Sequence, residues 1–228
     1  MGTDDFFKKK KAARKARQAE TRIPKSNSYL IVTEGIETER NYFNGIAKYI
    51  KENFGGTIDI KPVPTFVIRG EGKNTTSLVD AVIKIVKEAR IPYENVWLVF
   101  DKDDFSNFEE AIKLAERHDF NVAWSNPSFE YWLFLHFEYS DAALHRDEWT
   151  KKLKQFFRRS GINKAYAKNM KNIFEVVTKH GSLKSAISHG YKIHNYHVDE
   201  CHSPENSFPC TTVHELVKGF SYYLDDIL

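Results

Sequence analysis

The chain has 228 residues, 41% hydrophobic and 14% aromatic, with a formal net charge of +3. That is enough apolar material for a full core, as one large domain or one domain with an appendage. No apolar run approaches the roughly 18 residues needed to cross a bilayer, and no hydrophobic signal core follows the basic N-terminus, so a soluble protein without membrane partners is expected.

Two cysteines in this length give no disulfide framework, which points to a reducing, cytoplasmic compartment. Residues 1–25 hold nine Lys or Arg against three acids, leaving the body at −3 when their excess of six is subtracted from +3. Within them, residues 8–17 (KKKKAARKAR) carry seven positive charges and no acid. Such a run is a solvated arm or a phosphate-seeking one. Any nucleic-acid surface on the body must be local.

Residues 29–33 (YLIVT) read as a first strand, followed at its carboxyl end by Glu34 and Gly35. Tyr42, Phe43, Ile46, Ala47 and Ile50 then fall at helical spacing, with Thr38 as the expected N-cap. Residues 65–69 (TFVIR) read as a strand that Pro62 and Pro64 push to a sheet edge. The following RGEGKNTT segment, with Lys73, matches neither the P-loop nor the dinucleotide spacing, so a loop bordering the site suits it better than a nucleotide cradle. Leu78, Val82, Ile85, Val86 and Ala89 mark the next helix.

Residues 96–100 (VWLVF) run straight into Asp101, Lys102, Asp103 and Asp104. Five apolar residues of this kind read as a strand buried on both faces, which puts Asp101 and Asp103 at its carboxyl end. Two acids two residues apart repel, and burying either alone is expensive, so a divalent cation between them makes the arrangement intelligible. A solvated loop or a helix cap is the plain alternative. Lys102 points the other way in an extended chain and suits phosphate better than the cation site.

Ser106 and Glu109 have capping-box spacing before a helix carrying Phe108, Ala111, Ile112 and Ala115. Residues 120–124 (FNVAW) form one more strand. The alternation predicts an α/β fold with a mainly parallel sheet flanked by helices, and right-handed crossovers. Pro127 suits the first turn of the next helix, where Phe129, Trp132, Leu133, His136 and Phe137 form an apolar stripe. His136 on that stripe reads as a hydrogen-bonded core imidazole. Glu130, in the first turn of so apolar a helix, is a candidate second metal ligand or water-positioning group.

Three segments together, residues 32–43 (VTEGIETERNYF), 99–104 (VFDKDD) and 125–137 (SNPSFEYWLFLHF), resemble the RloB family, whose core resembles a Toprim domain. Residues 206–216 (NSFPCTTVHEL) are similar to that family's closing motif. The resemblance implies that Glu34 corresponds to the Toprim glutamate and Asp101 with Asp103 to the Toprim Asp-x-Asp, acids that hold Mg²⁺. It also implies a setting in bacterial anti-phage abortive infection, often beside an ABC- or AAA-type ATPase, with tRNA as a target of related effectors. Further Toprim acids and basic residues have no clear counterpart here, which leaves one metal or two open.

After about residue 139 the alternation stops, and the expected organisation is a basic arm over 1–25, a Toprim-like core over 26–140 and an α-helical region over 141–228 packed on it. Residues 151–171 hold eight Lys or Arg and no acid. Lys151, Lys152, Lys154, Arg158, Arg159, Lys164 and Lys168, with Lys73, are candidate nucleic-acid contacts. The interleaved Phe156, Phe157 and Tyr166 are either base-stacking platforms or core. His194, His197, Cys201, His202, Cys210 and His214 lack the short paired spacing of structural zinc. His214 is expected as a wall of the active site or a buried structural imidazole.

Catalysis expected of these residues is Mg²⁺- or Mn²⁺-dependent phosphodiester hydrolysis, RNA favoured over DNA, with Glu34, Asp101, Asp103 and Glu130 as the acids. In it Asp101 and Asp103 ligate metal, and Glu34 is a ligand or a general acid/base. A non-catalytic RNA- or ATPase-binding subunit with a structural cation is the alternative, and primase-like nucleotidyl transfer lacks a nucleotide loop. The oligomeric state stays open, a homo-oligomer included.

Overall fold

The computed structural model describes residues 27–55, 63–72, 75–102, 107–162 and 165–228. The basic arm over 1–25, Lys73, Asp103, Asp104, Ser106 and Lys164 lie outside the described residues. The elements in order are β1 (Ser28–Thr33), α1 (Thr38–Phe54), β2 (Thr65–Gly70), α2 (Thr75–Glu88), β3 (Asn95–Asp101), α3 (Phe108–Glu116), β4 (Asn121–Asn126) and α4 (Phe129–Leu135). They continue with α5 (Arg146–Arg159), α6 (Ile173–His180), α7 (Leu183–Asp199), β5 (Cys210–Thr211), α8 (Val213–Lys218) and two short 3₁₀ turns.

The sheet runs β2-β1-β3-β4-β5, with β1 to β4 parallel and β5 antiparallel to β4. This is the expected α/β architecture, with β2 at the edge as its sequence suggested. One difference is that the helical C-terminal region also supplies β5, too short a pairing to register as a strand in sequence.

All six residues of β1 are buried because both faces of the sheet are covered. Leu30 and Val32 join Leu98 and Phe100 in a core under α2 and α3. Tyr29 and Ile31 join Val99 and Ala123 in a second, larger core that contains buried residues of α1 and α4 to α8. From β1 the chain travels to β2 through α1; from β3 it travels the other way to β4 through α3. Right-handed crossovers in opposite directions require opposite faces, as observed. The carboxyl ends of β1 and β3 therefore flank a topological switch point, where open α/β sheets leave a crevice.

Two local expectations are corrected. Thr38 is the first residue of α1 rather than its cap; Glu37 holds the cap position without a side-chain bond, and the Thr38 hydroxyl donates instead to the Lys168 carbonyl at 2.9 Å. Pro127 precedes α4, whose N-cap is Ser128, and follows a cis peptide bond. As for α3, its N-cap is Asn107.

Candidate active site

The crevice is built from two strand ends and two helix starts. Thr33 is in register with Val99, and the next residue, Glu34, donates its N–H to the Val99 carbonyl at 2.8 Å, which seats it on the carboxyl edge beside β3. Asp101 ends β3, in register with Ser125 of β4. Glu39 lies in the first turn of α1 and Glu130 in the first turn of α4, where the helix dipole favours a carboxylate.

Glu34, Glu39, Asp101 and Glu130 all line one cavity of about 240 Å³, together with Arg146 and Lys168. Glu39, Asp101 and Glu130 are only 9%, 8% and 4% exposed. Arg146, opening α5, places Nη2 3.5 Å from Asp101 Oδ2. Lys168 Nζ stands 3.6 Å from Glu130 Oε1, and the Tyr166 hydroxyl donates to the same oxygen at 3.0 Å. Residues 166–168 thus form a strap over the pocket, tied to α1 through Thr38.

Electrostatics follow from this crowding. Burial, and then the negative charges of Glu39 and Glu130, push the Asp101 carboxyl well above the usual carboxylate range, while Arg146 and the Phe129 N–H pull it partly back. Burial also raises the Glu39 carboxyl; a hydrogen bond from its own backbone N–H opposes that, and Glu130 adds to it. Gly35 leaves room for the Glu39 side chain: a Cβ there would lie 2.0 Å from Glu39 Oε2. Among the described residues no three of these acids bring ligand oxygens within 4.8 Å of one another. Mutual repulsion and the pairs with Arg146 and Lys168 hold them apart.

A divalent cation fits this donor set. With Glu37 also on the lining, five acids against two bases leave three negative charges in excess when all are ionised, in a pocket of hard oxygen ligands of the kind Mg²⁺ and Mn²⁺ take. Glu34, Asp101 and Glu130, the candidates from sequence, share this cavity. Glu39 and Arg146 join them without having been candidates. The signal for Glu39 was present: it shares the stripe of Tyr42, Phe43 and Ile46, so a carboxylate there has to be buried.

The candidate nucleic-acid contacts divide. Lys151, Lys154, Arg158 and Arg159 are exposed along α5. Lys152 is half-buried, its ammonium 5.5 Å from the Phe134 ring centre. Lys168 belongs to the acidic pocket. Phe157 and Tyr166 are core residues, and Phe156 stacks on Phe137 with centroids 4.2 Å apart, so packing inside the protein accounts for these aromatics. Lys102 pairs with Glu205 at 3.1 Å.

His136 is the satisfied core imidazole expected of it. Its Nδ1–H donates to the Trp132 carbonyl at 3.2 Å and its Nε2 accepts from Tyr42 at 3.1 Å. His214 does not wall the acidic pocket; it is buried and borders a different cavity, between α7 and the C-terminus. Both cysteines are free, Cys201 exposed and Cys210 buried. No helix among the described residues is long and apolar enough to cross a membrane.

Fold and site together define an α/β protein with a carboxylate pocket at the switch point of a mostly parallel sheet. The RloB-like protein family model matches residues 29–220, and the chain belongs to that family. No curated protein and no solved structure matches it.

Proposed function

We propose that this protein is a Mg²⁺- or Mn²⁺-dependent nuclease that hydrolyses phosphodiesters, RNA such as tRNA in preference to DNA, as an effector of bacterial anti-phage defence. The observation that carries the reading is the gathering of Glu34, Glu39, Asp101 and Glu130 from four separate elements round one cavity with two cationic side chains. The RloB resemblance supports the defence setting and an ATPase partner; the exposed basic side chains of α5, leading away from Arg146, support a polyanionic substrate.

A bound divalent cation would neutralise non-bridging phosphate oxygens, acidify the attacking water and support the leaving oxygen. Asp101, Glu34 and Glu39 are the side chains to hold it, with Asp103 two residues beyond Asp101. Glu130, held by Tyr166 and Lys168, orients water and accepts its proton. Arg146 turns its guanidinium from Asp101 to the phosphate, for which its planar fork is suited.

The test is incubation of the purified protein, with and without the ATPase, with total RNA, labelled tRNA and plasmid DNA in Mg²⁺, Mn²⁺ or chelator. Metal-dependent fragments that disappear in Glu34→Gln and in Asp101→Asn are expected. Cleavage retained in both variants removes the carboxylates from the mechanism. Metal binding without any cleavage under all these conditions leaves the non-catalytic subunit as the better account.

A further inference from the structure

A second group of ligating side chains lies in the C-terminal region, where α7 packs on α8 and β5. Ligand atoms of His194, His214 and Glu215 lie within 4.8 Å of one another, a grouping that no other three His, Cys, Asp or Glu make among the described residues. We propose that these three side chains bind a borderline divalent metal ion, of the Zn²⁺ class, at a site separate from the carboxylate pocket.

The ligand chemistry selects the ion. Two imidazoles and one carboxylate suit Zn²⁺, Co²⁺ or Ni²⁺ rather than Mg²⁺, which prefers oxygen alone. Three protein ligands leave a fourth tetrahedral position for water. His214 is held as a ligand needs to be: its Nδ1–H donates to the Thr211 carbonyl at 3.0 Å, which fixes the tautomer and puts the lone pair on Nε2.

All three residues sit on rigid elements. His194 projects from α7, and His214 and Glu215 are adjacent in the first turn of α8. Gly190, one turn before His194, permits the approach of the two helices: a Cβ there would lie 3.0 Å from His214 Nδ1. The His194 and His214 ring centres are 5.6 Å apart, and His194 Nδ1 stands 3.5 Å from Glu215 Oε1.

Two of the three side chains reach solvent. His214 borders a cavity of about 460 Å³, and the Glu215 and His194 side chains are 49% and 23% exposed. A metal here would tie α7 to α8, and thereby to the edge of the sheet at β5.

The experiment uses the full chain, stripped with chelator and titrated with Co²⁺ at pH 7.5 while d–d absorption is followed, then with Zn²⁺ by calorimetry. One equivalent of Co²⁺ should give tetrahedral-type bands that Zn²⁺ displaces. His194→Ala and Glu215→Gln change partly exposed side chains, which spares the core. Each should weaken Zn²⁺ binding by at least about tenfold, the loss that outer-shell changes alone produce. The bands should persist in Asp101→Asn and in Cys201→Ser. Absence of stoichiometric binding in the wild type overturns the proposal, as does binding that survives the two ligand changes combined or vanishes in Asp101→Asn.

Discussion

Replacing Asp101 by Asn should make the metal-free protein more stable while removing its proposed activity. Asp101 is 8% exposed, and its attraction to Arg146 at 3.5 Å is about 5 kcal/mol at an effective dielectric of about 20, before solvent screening of the partly exposed guanidinium. Glu39 and Glu130 face it across a cavity of about 240 Å³. Both carboxylates repel its charge, Glu39 more than Glu130. Each acid's repulsion outweighs the solvent-screened attraction of Arg146, and desolvation outweighs all three, so the buried charge is unfavourable by several kcal/mol. Asn keeps an acceptor for the Phe129 N–H without the charge, so a gain of about 2 kcal/mol is expected, or roughly 4 to 8 °C in Tm for a chain of this size. The sign depends on pH. Because the folded carboxyl is raised above the unfolded value of about 3.9, the folded wild type binds the extra proton between the two values and loses stability as pH rises through that window. The advantage of Asn is therefore absent near pH 4 and grows as pH rises above it. Thermal unfolding in chelator at pH 4.5, 6 and 8 measures it, and adding Mg²⁺ should raise the Tm of the wild type alone. An Asn variant no more stable than wild type at pH 8 without metal would refute the electrostatic account of the pocket.

Other perturbations separate the parts of the site. Gly35→Ala should leave Tm within a few degrees but lower metal-dependent cleavage at least tenfold, since its Cβ drives the Glu39 carboxyl aside; circular dichroism and the cleavage assay check both. Lys151→Glu, Lys154→Glu and Arg158→Glu together should weaken RNA binding and flatten its salt dependence, by about 0.7 in slope for each phosphate no longer neutralised on single strands; filter binding between low and moderate salt reads this. His136 is held by burial at a pKa of about 4, against about 6.5 unfolded. The unfolded chain takes up that proton first, so the stabilisation is complete above pH 6.5 and about 3 kcal/mol is lost as pH falls towards 4. In NMR its ring should stay neutral down to about pH 5, and urea unfolding in the Asp101→Asn background should show the loss with one opposing carboxyl removed.

Much of this was legible in sequence, for reasons particular residues make plain. Strands β1 and β3 are near-continuous apolar runs because parallel strands are covered on both faces, and such runs stand out from amphipathic helices. Glu34 and Asp101 were visible because each interrupts a run at its carboxyl end, and Glu130 because its helix is buried all round. Glu39 escaped because acids in the first turn of a helix ordinarily serve the dipole in solvent; only its place on the stripe with Tyr42 and Phe43 marks it. Arg146 and Lys168 carry no local signal. Their roles arise from a strap that returns to the pocket after α5, and pairing across more than a hundred residues, as between Thr38 and Lys168, leaves no spacing to read.

The same limit explains why the aromatic and basic segment was ambiguous. Phe157 and Tyr166 next to lysines match a base-stacking surface in composition, yet they fill a core whose other wall is α4. The lysines that share their segment are exposed for the simple reason that α5 is amphipathic: Trp149, Leu153 and Phe157 turn inward at helical spacing and Lys151, Lys154 and Arg158 turn out. Tyr166 then does what neither alternative included. Its ring is buried while its hydroxyl reaches Glu130, so one side chain joins the hydrophobic core to the acidic pocket, and the geometry of Glu130 depends on how well that core is packed.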